Sequence, residues 1–140
     1  MFTADPSAHV FQGQIYIYPS HDIDAGVKED DLGSHFAMRD YHVLSQKTPA
    51  SPVVDHGVAL KLEDVAWASK MLWAPDAAES KGNYYLYFPA KDKEGVFRIG
   101  VASSSKPEGP FMFYSEVSSS ADMASEDPYL WYDKKRKRFY

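Results

Sequence analysis

The 140-residue chain contains no cysteine, which removes disulfides, thiolate metal sites, iron–sulfur clusters and thiol nucleophiles together. Basic charge is short as well. Fifteen Lys and Arg stand against twenty Asp and Glu, a formal charge of −5, whereas binding a phosphate backbone needs a basic face. The run at 134–138 is the one exception, and beside strand-like aromatics it reads as a solvated turn. No apolar run approaches the ~20 residues of a membrane span. The first six residues lack the basic and apolar regions of a signal peptide. A soluble polypeptide is expected, with neither nucleic acid nor membrane as partner, and its compartment stays open between cytoplasm, periplasm and exterior. Helical periodicity is missing too: residues 62–70 come nearest, with Trp67 equally able to open an irregular connection.

What remains is aromatic and strand-like. Three Trp, ten Tyr and eight Phe make 15% of the chain, and such side chains suit both β-sheets and the faces of sugar rings. Residues 9–11 and 14–18 flank Gln12-Gly13 as a hairpin, and 38–45, 83–88 and 97–102 read as further strands. The fold class is all-β. An order of acid, strand, glycine turn and aromatic strand opens at Asp5, again at Asp76 and a third time at Asp127, with steps of 71 and 51 residues. Arg39 and Arg98 begin matching third strands 59 residues apart. Four-stranded units at such spacing are the pattern of a β-propeller. In that topology the first strand of each blade is innermost, and the loop between strands two and three overhangs its start. Residues 19–37 form that loop in the first unit, long and without a structure signal of its own. The opening carboxylates would gather on the same face.

Ala4-Asp5-Pro6-Ser7, Trp73-Ala74-Pro75-Asp76, Tyr84-Tyr85-Leu86-Tyr87-Phe88, Ile99-Gly100-Val101-Ala102 with Pro107-Glu108-Gly109-Pro110-Phe111, and Glu126-Asp127-Pro128 occur in that order. Together they resemble glycoside hydrolase family 43, five-bladed propellers acting on arabinose- and xylose-containing polysaccharides. The resemblance covers nearly the whole chain and implies the first two to three blades of an incomplete domain over 1–140. It implies an inverting glycosidase of β-xylosidase or α-L-arabinofuranosidase type, with a plant cell-wall oligosaccharide or polysaccharide as partner. Asp5 matches the general base and Asp127 the carboxylate that raises the acid's pKa and orients it. Trp73 and Asp76 fall at the pocket, although a Trp before an inner strand also suits the core. No cofactor is required, and a structural calcium in the complete domain would take its protein ligand from a later blade.

The general acid is not in this chain. Glu108 follows an outer-strand turn and reads as an exposed turn residue, so the chain alone is expected to be inactive. His21 and Asp22 open the long loop and are candidates to hydrogen-bond a sugar hydroxyl. The acids Asp22, Asp24, Glu29, Asp30 and Asp31 fail the spacing of a calcium loop, and none of the five histidines shows a zinc motif. His42 alternates within a strand as a packing or solvent-facing residue. Arg39 has Asp40 or a pocket carboxylate as a candidate partner, but its mirror Arg98 favours a structural feature of the repeat instead. A non-catalytic carbohydrate-binding propeller is the alternative, and a Glu at a later inner strand would decide for the enzyme.

Overall fold

The computed structural model describes residues 1–29 and 35–117, together with the short pair β10 (Tyr132–Asp133) and β11 (Arg138–Phe139). Two blade-like sheets account for most of it. The first is a meander in chain order, β1 (Phe2–Phe11), β2 (Gln14–Asp22), β3 (Asp40–Gln46) and β4 (Val54–Lys61). In the second, β5 (Ala68–Lys70) and β6 (Asp76–Ser80) pair with successive stretches of β7 (Asn83–Asp92). β8 (Phe97–Ser104) and β9 (Met112–Val117) follow outward.

Each blade begins with a two-residue hairpin. Gln12-Gly13 carries φ of 53° and 74°, and Lys81-Gly82 carries 54° and 77°. These are the left-handed pairs whose twist matches that of the flanking strands. Period-two alternation then sorts the faces: Tyr41, Val43 and Ser45 of β3 are buried, as are Tyr84, Leu86 and Phe88 of β7. The buried faces of the two sheets meet in one core. Across it the Tyr18 hydroxyl donates to the Pro107 carbonyl at 2.7 Å, the Phe111 N–H donates to Ala59 O at 2.7 Å, and Phe11 stands edge-on to Tyr84. Burial pushes the Tyr18 and Tyr41 phenols far up, so both stay neutral donors.

The inner strands run in step. His9 meets Asp76, and the Gln12 amide donates to the hydroxyl of Tyr84 at 2.9 Å, the residue paired with Glu79. The first contact spans 67 residues and the second 72, while the two glycine turns stand 69 apart; the side chain that meets Asp76 is that of His9, not Asp5. Two other expectations shift. Strand β2 runs on to Asp22, shortening the loop expected at 19–37, and an isolated bridge pairs Asp24 with Phe36. The segment 62–70 is no helix but a single 3-10 turn at Leu62–Asp64 followed by β5.

Candidate active site

Asp5 owes its position to two prolines. Ala4 pairs with Ser20 and Ser7 with Tyr18, so Asp5 and Pro6 together face Pro19 alone. Neither proline has an N–H to give to the ladder, and the strand takes up the slack as a two-against-one bulge. Asp5 adopts φ 46°, a left-handed conformation that Asp tolerates better than most residues. Its carboxylate is thereby set exposed at the rim of the innermost strand. Ser20 Oγ secures the bulge by donating to Ala4 O at 3.1 Å.

The second blade breaks between β5 and β6, where Met71 carries φ 61°. Here Leu72 N–H donates to Met38 O at 3.1 Å, Trp73 N–H donates to Pro89 O at 3.2 Å, and the Tyr41 hydroxyl donates to Trp73 O. These bonds hold Trp73 half-buried, its ring 4.7 Å from Phe97. The indole Nε1 is buried and meets no acceptor in the protein. Sequence had left Trp73 between ligand contact and core; the ring packs against the core, with its indole N–H buried and unpaired.

At the end of β2, Asp22 stands beside Asp5. Desolvation first, then the charge of Asp5, hold its carboxyl above the ordinary range, with His21 pulling the other way. One of its oxygens, Oδ1, is buried and accepts no hydrogen bond. His21 turns Nδ1 to Asp40 and donates at 2.5 Å. Asp76, by contrast, is buried, accepting from His9 Nε2 at 2.6 Å and from Ala77 N–H at 2.8 Å. Asp5, Asp22 and His21 thus fall together at one end of the first sheet, Asp76 is buried against His9, and Trp73 packs on Phe97. Asp127, Asp30 and Asp31 lie outside the described residues. Glu108 sits half-buried in the turn before β9, and a shallow groove near it, lined by Asn83, Ser103 and Lys106, carries no carboxylate.

Sequence reading missed the company kept by His42. It is neither simple packing nor solvent-facing: Nδ1 donates to Asp55 at 2.9 Å, and Nε2 lies 3.9 Å from Asp40 Oδ1. Desolvation acts upward on Asp55, but the His42 hydrogen bond and the Gly57 N–H outweigh it and hold the carboxyl low. The available signal was the i, i+2 spacing of Asp40 and His42, which puts both on one face of β3. Arg39 reaches Glu63, not Asp40.

Two packed antiparallel meanders, each with its own tight glycine hairpin, are the blades of a β-propeller. The family model for glycosyl hydrolases family 43 matches residues 1–140, and the chain belongs to that family. It is 63% identical over 113 residues to xylosidase/arabinosidase 43A of Humicola insolens, covering 79% of this chain and 35% of that protein. To a xylosidase/arabinosidase of Bacteroides ovatus it is 48% identical, covering 94% of this chain and 40% of the relative. Among solved structures, a family 43 β-xylosidase/α-arabinofuranosidase from a compost microbial metagenome, complexed with xylotriose in a calcium-free form, superposes with TM-score 0.90. Identity is 57%, over 99% of this chain and 41% of the other. The chain thus spans roughly two fifths of its relatives' length.

That calcium-free description raises the question of the ion. Calcium takes six to eight oxygen ligands. Among the described residues the group able to ligate a metal is His21, Asp40 and His42, one carboxylate and two imidazoles, which does not fit calcium. No helix among the described residues is long and apolar enough to cross a membrane.

Proposed function

We propose that this chain supplies the base side of an inverting glycosidase acting on xylose- or arabinose-containing oligosaccharides of the plant cell-wall type. The observation that carries the reading is Asp5, lifted out of its strand ladder by the Asp5-Pro6 bulge and exposed beside a second carboxyl. In the proposed step the Asp5 carboxylate takes a proton from water. The water oxygen bonds to the anomeric carbon from one face while the bond to the leaving oxygen breaks on the other. A general-acid Glu outside this chain gives that leaving oxygen its proton, and inversion requires the two carboxyls to stand ~6.5–9.5 Å apart. Asp127 serves as the neighbouring charge that keeps the acid protonated.

Trp73 offers its ring face and its unpaired indole N–H to the sugar. Asp22, with a free buried oxygen and a raised pKa, accepts from a hydroxyl. His21 has Nε2 left for the same task, and Asp76 borders the pocket from below through His9. The calcium expected of the complete domain would be held from beyond this chain, and no step runs through it.

The test is hydrolysis of p-nitrophenyl β-D-xyloside and α-L-arabinofuranoside by the chain expressed with its downstream coding sequence, the product anomer read by proton NMR. First-formed product of inverted configuration, lost in Asp5→Asn, supports the reading. Retention, or full activity in Asp5→Asn, sinks it, and sugar binding without turnover would favour a binding module.

A further inference from the structure

We propose that His21, Asp40 and His42 form a binding site for a borderline divalent transition metal, with Zn²⁺ the best fit, on the face of the first blade turned away from the core. Three observations converge on it. The three ligand atoms lie within 4.8 Å of one another, on half-buried side chains. The His42 ring is fixed by donating Nδ1–H to Asp55, the carboxylate–histidine arrangement that presents the other nitrogen to a metal. That donation leaves the lone pair of neutral His42 Nε2 facing Asp40 Oδ1 at 3.9 Å. Asp40 Oδ1 already accepts from His21, and His42 Nε2 is left for a bridging water, a proton or a metal ion.

The dimensions suit a metal. Around a tetrahedral Zn²⁺ with bonds near 2.0–2.1 Å, ligand atoms stand about 3.4 Å apart. The His21 Nδ1–Asp40 Oδ1 contact of 2.5 Å must open by about 0.9 Å and the 3.9 Å gap close by about 0.5 Å, within the reach of small χ rotations. Binding replaces the proton on His21 Nδ1, which leaves to solvent, and keeps the proton on His42 Nδ1. Two imidazoles and one carboxylate prefer Zn²⁺, Ni²⁺ or Cu²⁺ to Mg²⁺ or Ca²⁺. At least one coordination position stays open. His21 precedes Asp22, so an ion here would fix the end of β2 that carries the raised carboxyl.

The experiment titrates Zn²⁺ into the chain expressed with its downstream coding sequence and stripped of metal, using calorimetry with and without excess Ca²⁺. Imidazole ¹⁵N shifts of His21 and His42 are followed in parallel in the unmutated protein. Expected are one Zn²⁺ per chain, metal-induced shifts at His21 Nδ1 and His42 Nε2, and no displacement by Ca²⁺. Asp55→Asn, which keeps shape, should weaken affinity about 10–100-fold. His42→Gln should weaken it further, while His56→Gln, outside the cluster, leaves it unchanged. Zn²⁺ that shifts other histidines, or an affinity indifferent to both His42→Gln and Asp55→Asn, overturns the proposal. So does a His42 that titrates with protons while ignoring Zn²⁺.

Discussion

His9 and Asp76 meet at 2.6 Å across the boundary between the two blades, the imidazole donating Nε2–H to a carboxylate that also caps the Ala77 N–H. Asp76 is buried, so losing this donor removes one of the contacts that repay its desolvation. His9→Ala is expected to destabilise the fold by about 1–3 kcal/mol, read as a lower urea midpoint at unchanged m-value. An unchanged midpoint would show that the rest of the interface holds the blades unaided.

Gly100 lies opposite Phe88 in the β7–β8 ladder, and a Cβ added there would come within 2.4 Å of the Phe88 ring. Phe88 is fully buried and its ring carbons crowd the site, so it has little room to yield. Gly100→Ala should cost about 1–3 kcal/mol. Combined with Phe88→Leu, the loss should be less than the sum of the two, because the pair couples through direct contact. Additive losses in a double-mutant cycle would contradict the contact.

Asp22 has a carboxyl held above its ordinary range. The folded state therefore binds its proton more tightly than the unfolded chain, and stability falls as pH rises from the unfolded value near ~3.9 through the folded one. Removing the charge in Asp22→Asn should raise Tm at pH 7, with the gain shrinking to nothing near about pH 3. Tm measured across that range decides, and a gain independent of pH would refute the linkage.

At Asp5 stability and turnover should separate. Asn tolerates the left-handed backbone at least as well as Asp, and Asp5→Asn also relieves the charge facing Asp22. The variant should be as stable as the original, or more so by about 0.5–1 kcal/mol. In the polypeptide carrying the general acid, its kcat should fall about 10²–10⁴-fold. A parallel loss of both properties would make Asp5 structural.

Much of this was legible in the chain. Alternation and the Gln12-Gly13 and Lys81-Gly82 turns announced the hairpins, because local sterics and period-two burial act within a few residues. The surroundings of the repeated acids were not legible: Asp5 and Asp76 look equivalent in sequence, but Asp5 is exposed on a bulge opposite Pro19 while Asp76 is buried against His9. Such a bulge depends on which residues face each other across strands. For the same reason the grouping of His21 with Asp40 and His42 escaped notice, since it joins β2 to β3 across a loop whose length hides the pairing. The hydroxyl bond from Tyr41 to the Trp73 carbonyl, which seats that tryptophan, is likewise a tertiary contact with no local mark.

His9 with Asp76 and Gln12 with Tyr84 tie the two inner strands together toward their turns. At the other end, Met38 O accepts from Leu72 N–H, so the stretch that leads into β3 also grips the connection that leads into β6. The first blade is thus fastened to the second at both ends, which leaves its inner strand no freedom to slide along its neighbour.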